Sequence, residues 1–295
     1  MKIWKGLIST EVHLKRFFKQ VLFTVLLFSV YLNSQVFTET DKAIFDRNIK
    51  YAFDKGFQKL DVSLLPGKTG RLFTGTEYLA FALEVTDSEE LVVNLSGLDC
   101  YTLVENAVVF TRLLKQKDSS FSSYLNNLQF IRYRGGEISG YTSRLHYTSD
   151  WIYDNINKGV VKDISQSLGG EKLNFNLSFM SKNPSKYKHL KNNPSNVAKM
   201  KEIEKEISAR DYFYIPKSEI SKKEKYIEEG DIIAIVTNIE GLDISHIGIA
   251  VIESGETRFL HAPMPDTKVQ ITRSSLSKYV NAIKSNKGII VLRVM

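Results

Sequence analysis

The sequence predicts an α+β fold. Apolar residues recur at helical spacing in the first half of the chain, short β-branched runs separated by turn residues fill the last quarter, and the two kinds of pattern are segregated rather than alternating.

The elements follow in order. From Asp41 to Phe57, residues Ile44, Phe45, Ile49, Ala52 and Phe53 share one helical face, with Thr40 or Asp41 placed to cap it. Leu64-Leu65-Pro66-Gly67-Lys68-Thr69-Gly70 has loop chemistry, and Thr74-Gly75-Thr76-Glu77 leads into a short apolar segment ending at Glu84. From Asp99 to Lys115, Cys100, Leu103, Val104, Ala107 and Leu114 share a face, which turns the cysteine toward whatever that helix packs against. A further helix is expected near Ser120 to Arg132.

Asn, Ser and Lys dominate from Asn174 to Lys225, and residues 181–225 carry twelve basic against six acidic side chains, the composition of a solvated insertion. Asp231–Thr237, Ser245–Ile252, Thr257–Ala262, Val269–Thr272 and Gly288–Val294 then read as strands.

The first 34 residues read as a secretory signal: Lys2, Lys5, Lys15, Arg16 and Lys19 precede the apolar run Val21 to Tyr31, and Ser34 closes a polar exit. That run is about half the roughly 20 residues a membrane span needs, so no stable span is expected after cleavage. A periplasmic or secreted protein follows. Without the leader the formal charge falls from +7 for the whole chain to 35 basic against 32 acidic residues, which removes the argument for a nucleic-acid partner.

Cys100 is the chain's one cysteine. It excludes an intrachain disulfide and, lying far beyond the apolar run, a lipid-bearing leader. A thiol at the start of a helix is a candidate nucleophile, because the helix N-terminus and a nearby imidazolium both favour the thiolate.

Two histidines answer that need. His246 and His261 flank Glu253-Ser254-Gly255-Glu256, whose Ser-Gly centre suits a two-residue hairpin turn. In that register Gly248 opposes His261, and His246 becomes its diagonal neighbour on the same face, with backbones about 7 Å apart. His246 would act as base and acid, His261 would orient it, and N–H groups at the start of the Cys100 helix could hold an oxyanion. An inert core cysteine with structural histidines is the alternative, as is a metal site from the same three residues.

Around this set, Arg134 and Arg144 could grip a substrate carboxylate, Tyr78 or Trp151 could stack on sugar or peptide, and Asp150 could pair with substrate amines or one of the arginines. An internal pair of Arg144 and Asp150, with Trp151 in the core, is the equal alternative. His146 reads as a structural hydrogen-bonder.

Leu98-Asp99-Cys100-Tyr101-Thr102-Leu103-Val104-Glu105, Ser245-His246-Ile247-Gly248-Ile249-Ala250-Val251 and Phe259-Leu260-His261-Ala262 together resemble the three motifs of the NlpC/P60 papain-like cell-wall hydrolases. Tyr133-Arg134-Gly135-Gly136, Gly140-Tyr141-Thr142-Ser143-Arg144-Leu145-His146-Tyr147 and Asp150-Trp151-Ile152 resemble the DUF1460 branch, the N-acetylmuramoyl-L-alanine amidase-like proteins. Tyr101, Glu77 and Phe81 depart from that pattern.

The resemblance implies a papain-like core, a helix-borne cysteine packed on an antiparallel sheet, with added helices and a polar insertion at about 117–228 inside a single catalytic domain of residues 35–295. It implies hydrolysis of the amide between muramic acid's lactyl group and L-alanine, with Cys100 as nucleophile, His246 as base and acid, and His261 as the orienting third member. Muropeptide or peptidoglycan is the expected partner, the protein is expected to be a monomer, and no metal or organic cofactor is called for. A stem-peptide endopeptidase, a silent wall-binding protein and an amine-dependent acyltransferase are the competing functions.

Overall fold

The structure, a computed structural model, describes residues 35–263 and 267–295, so the expected leader at 1–34 lies outside the described residues. Residues 35–295 form one compact unit.

Its centre is an eight-stranded sheet of β1 (Val161–Asp163), β2 (Glu171–Leu173), β3 (Tyr212–Pro216), β4 (Ile232–Thr237), β5 (Ile244–Glu253), β6 (Glu256–His261), β7 (Gln270–Ile271) and β8 (Asn286–Val294). Every pairing is antiparallel, in the order β7-β6-β5-β4-β8-β3-β2, with β1 also on β8. Ile232 to Thr237 is buried throughout, because both faces of the sheet are covered. Ile232, Ala234 and Val236 pack toward the main helices with Ile249 and Val251, whereas Ile233 and Ile235 join Ala250, Phe259 and Val291 under Leu276 and Val280. Each such fully buried branched side chain contributes about 1.5–3 kcal/mol.

The longer helices are α1 (Glu39–Asp54), α2 (Leu65–Arg71), α3 (Cys100–Gln116), α4 (Phe121–Arg132), α5 (Thr148–Asn157), α6 (Pro194–Ser208) and α7 (Leu276–Ala282). Among the described residues, no helix is long and apolar enough to cross a membrane.

Three sequence expectations change. The α1 cap is Thr38 rather than Thr40 or Asp41: Asp41 sits at the third helical position, returns a bond to the Thr38 N–H and also accepts from Leu95 N–H at 2.8 Å. Leu65–Arg71 is helix, not loop. Pro66 occupies the start, where its missing donor costs nothing, and Gly70 is there for close packing, since a Cβ would come within 2.8 Å of Ile249 and 2.9 Å of Leu260.

The Lys-rich stretch is also more than a solvated insertion. Met200, Glu204 and Ile207 turn one face of α6 inward, and β3 carries the main sheet on from β8 to β2, while the α6 lysines occupy the outer face.

Candidate active site

Cys100 opens α3 because Asp99 caps it. The Asp99 carboxylate accepts from the Thr102 N–H at 2.7 Å, and the Asp99 N–H donates to the Thr102 hydroxyl at 3.0 Å. The N–H groups of Cys100, Tyr101 and Ile247 are directed at the thiol, so β5 meets the helix terminus one residue past His246.

The Ser254-Gly255 hairpin forms in the expected register, with Glu253 opposite Glu256 and Leu260 opposite Ile249. Both turn residues take positive φ, 53° and 79°, which suits the twist of the strands they join. His246 Nε2 lies 2.8 Å from His261 Nδ1, and the rings meet nearly perpendicular at 5.1 Å. If His246 donates from Nε2, its Nδ1 keeps a free lone pair.

A β-bulge at Ser245 precedes His246: Ile235 pairs with His246, but Val236 pairs with Ile244. The extra residue re-aims the strand at the position where the histidine side chain must turn. Gly248 between the histidines is required by its opposite neighbours, since a Cβ there would lie 2.6 Å from the Leu260 carbonyl oxygen and 2.7 Å from the Phe259 ring. Phe259 in turn backs both imidazoles, at 5.7 Å from His246 and 5.0 Å from His261.

Electrostatics alter one expectation. Burial, with a further push from the Asp99 charge, raises the Cys100 thiol to about 12 against the pull of the three N–H groups. Burial lowers His246 to about 4; burial, and then the charge of His246, lower His261 to about 3. Burial therefore disfavours the thiolate and both imidazolium forms, in opposition to the pull of the helix terminus.

The peripheral residues divide. Tyr78 and Arg144 line a cavity of about 490 Å³ beside Asp99. Arg144 is nearly buried and held by Glu84 and Glu89, each at 2.9 Å, rather than by Asp150. Asp150 instead joins Arg134 at 2.7 Å and Arg210 at 2.8 Å.

Trp151 is 1% exposed, edge-on to Tyr101, and Asp150 is equally buried, so neither presents a surface to a ligand. His146 is half-buried with Nε2 donating to the Tyr141 carbonyl at 2.8 Å, and desolvation, with the nearby Arg144 charge, holds it well below its usual range. Among the described residues no group of three His, Cys, Asp or Glu side chains is placed for a metal ion.

Sequence reasoning missed Tyr279 on α7. Its hydroxyl lies 3.4 Å from His261 Nδ1, the atom that also meets His246, and its ring stands edge-on to His261 at 5.0 Å. The seven-residue helix carrying it is too short to leave a periodic signal.

Helix-capped thiol, strand-borne imidazole pair and antiparallel sheet belong to a mixed α/β protein with a candidate hydrolytic site. The family model described as AmiA-like, N-acetylmuramoyl-L-alanine amidase-like, matches residues 68–289, and the chain belongs to that family.

An N-acetylmuramoyl-L-alanine amidase from Bacteroides uniformis ATCC 8492, known from its crystal structure, is 39% identical with a TM-score of 0.74, covering 79% of this chain and 97% of its own. A Bacteroides fragilis protein described as a candidate xylanase is 42% identical with a TM-score of 0.73, covering 76% of this chain and 98% of its own. Protein LPG0564 from Legionella pneumophila, a DUF1460 protein, shares the fold at 22% identity and a TM-score of 0.63, covering 87% and 95%. No curated protein sequence matches the chain.

Proposed function

We propose that this protein is an exported cysteine amidase of papain-like, NlpC/P60 type that hydrolyses the N-acetylmuramoyl-L-alanine bond of muropeptides or peptidoglycan. The 2.8 Å contact between His246 Nε2 and His261 Nδ1 beside a helix-capped Cys100 carries the reading. Family membership and the Bacteroides uniformis amidase supply the bond to be cut.

Hydrolysis on this set of residues runs in two stages. His246 Nδ1 takes the Cys100 proton as sulfur attacks the lactyl carbonyl carbon, and the imidazolium is stabilised through its Nε2–H by His261. The N–H groups of Cys100 and Tyr101 lie where the oxyanion develops. Collapse of the tetrahedral adduct breaks the C–N bond as His246 protonates the leaving amine of L-alanine. Water, deprotonated by His246, then attacks the thioester, and the proton returns to sulfur with release of the muramic acid.

A glycosidase reading would require two facing carboxylates free to act on a sugar. The acidic side chains lining the cavity are otherwise employed: Glu84 is paired with Arg144, and Asp99 caps α3.

Incubating residues 35–295 and the Cys100→Ala variant with defined muropeptides tests the proposal. Mass spectrometry should show an intact peptide beginning with L-alanine from the native protein alone. Cleavage between stem amino acids would establish an endopeptidase instead, and no cleavage by a folded native protein would overturn the enzymatic reading.

A further inference from the structure

The stretch 184–201 borders two cavities. Lys186, Tyr187 and Lys188 line the one beside Asp99, whereas residues before and after them enclose a second, of about 530 Å³, that shares no lining residue with the first. This second cavity lies among the 3-10 turn Pro184–Lys186, the turn of residues 187–193 and the opening turns of α6. Hydrogen bonds fix its frame. The Asn196 side-chain amide donates to the His189 carbonyl at 3.0 Å, the Asn193 side chain accepts from the Asn196 N–H at 3.1 Å, and the Leu190 and Lys191 N–H groups donate to the Tyr187 carbonyl at 3.1 Å and 2.9 Å. A framed cavity of this volume falls within the roughly 300–1,000 Å³ that ligand sites occupy.

Its lining is of two kinds. Leu190, 1% exposed and rooted in the main core, forms an apolar floor with Val197 and Ala198. Around that floor stand Ser185, Lys191, Asn192 and Lys201, all exposed. Among the described residues none of these four side chains has a hydrogen-bond or ion-pair partner, and no acidic side chain lines the cavity. Nearby lysines are matched, Lys182 by Glu240 at 3.5 Å and Lys188 by Asp87 at 3.0 Å, so the two unanswered charges belong to this cavity's rim.

That combination selects among ligands. An inorganic anion would answer the charge and leave the floor bare. A sugar would find no ring to lie against, since no aromatic residue lines the cavity. A peptide with an aliphatic side chain between carboxylates meets both demands, and its main chain can pair with the Asn192 amide and the Ser185 hydroxyl.

We propose that this cavity docks an acidic peptide segment of a partner protein, with an aliphatic side chain laid on Leu190 and Val197 and flanking carboxylates on Lys191 and Lys201. The twelve basic against six acidic side chains of residues 181–225 draw such a segment in from a distance. Because a different set of residues lines the cavity beside Asp99, a docked partner leaves that cavity open, and the site serves recruitment rather than hydrolysis. The assignment is independent of which bond the protein cuts.

Calorimetric titration of the native chain with the peptide Glu-Leu-Asp-Leu-Glu, acetylated and amidated at its ends, tests this. It should bind with a Kd of about 100 μM or tighter. Exchanging its leucines for serine, or its acids for their amides, should weaken binding about tenfold or more. Lys191→Glu/Lys201→Glu should do the same with an unchanged melting temperature, both side chains being exposed. No binding of the peptide, an affinity indifferent to its leucines, as a merely electrostatic surface would give, or an affinity that survives the double variant would overturn the proposal.

Discussion

Replacing Gly248 by alanine adds one methyl group between the two histidines, and the geometry fixes where it must go. The new carbon would stand 2.6 Å from the Leu260 carbonyl oxygen and 2.7 Å from two carbons of the Phe259 ring, all closer than non-bonded contact permits. The ring can tilt, but the carbonyl belongs to the neighbouring strand and yields only if β5 and β6 separate. Overpacking of this kind costs about 1–3 kcal/mol, and the loss of glycine's backbone freedom returns about 0.5–1 kcal/mol.

The net destabilisation is about 1–2 kcal/mol, which lowers the melting temperature of a unit this size by about 2–8 °C. Because Phe259 backs both imidazoles, its displacement also spoils the 2.8 Å contact between them, and muropeptide hydrolysis should fall by about tenfold or more. Differential scanning calorimetry and a product assay on the same sample measure both effects. A Gly248→Ala protein that melts at or above the native temperature with unchanged turnover would refute the claim that close packing dictates this glycine.

Other outcomes follow from the same geometry. His261→Ala removes the partner of His246 Nε2 and should lower kcat about a hundredfold or more with little change in KM, read by steady-state kinetics. Tyr279→Phe removes a hydroxyl 3.4 Å from His261 Nδ1, a long and correspondingly weak contact, so kcat should fall about two- to fivefold at constant KM. Both histidines titrate below their ordinary value when folded, at about 4 and about 3, so the unfolded chain binds more protons between those values and 6.5. Their contribution to stability is fully present above pH 6.5 and lost as pH falls, about 2 kcal/mol per histidine by pH 5, measurable as a pH-dependent urea midpoint that flattens in a His246→Gln/His261→Gln chain.

Much of the site was legible in the sequence because its signals are local. A turn of Ser254 and Gly255 sets the register of two short strands, and that register alone places two histidines on one face. The helix face bearing Cys100 is likewise written at a spacing of three and four residues.

What the sequence hid depends on contacts between distant segments. Gly67 and Gly70 look like loop residues until the sheet beneath α2 is known, and Arg144 looks free until Glu84 and Glu89 are seen around it. Trp151 and Asp150 carry the chemistry of binding residues, yet burial beneath the helical layer removes them from any ligand. The Ser245 bulge and Tyr279 leave no periodic trace at all.

The place of β8 in the sheet constrains the order in which the molecule can assemble. Residues 286–294 do not edge the sheet but run through its middle, between β4 and β3, with β1 also leaning on them. Until they are made and inserted, the strands bearing the histidines and the strands contributed by the middle of the chain have nothing to join them. Pairings of such long sequence separation form slowly, since the chain must close large loops before any contact rewards it. The complete sheet should thus form late, once residues 286–294 are in place, and a chain cut short before residue 286 should contain every candidate catalytic residue on a sheet without its central strand.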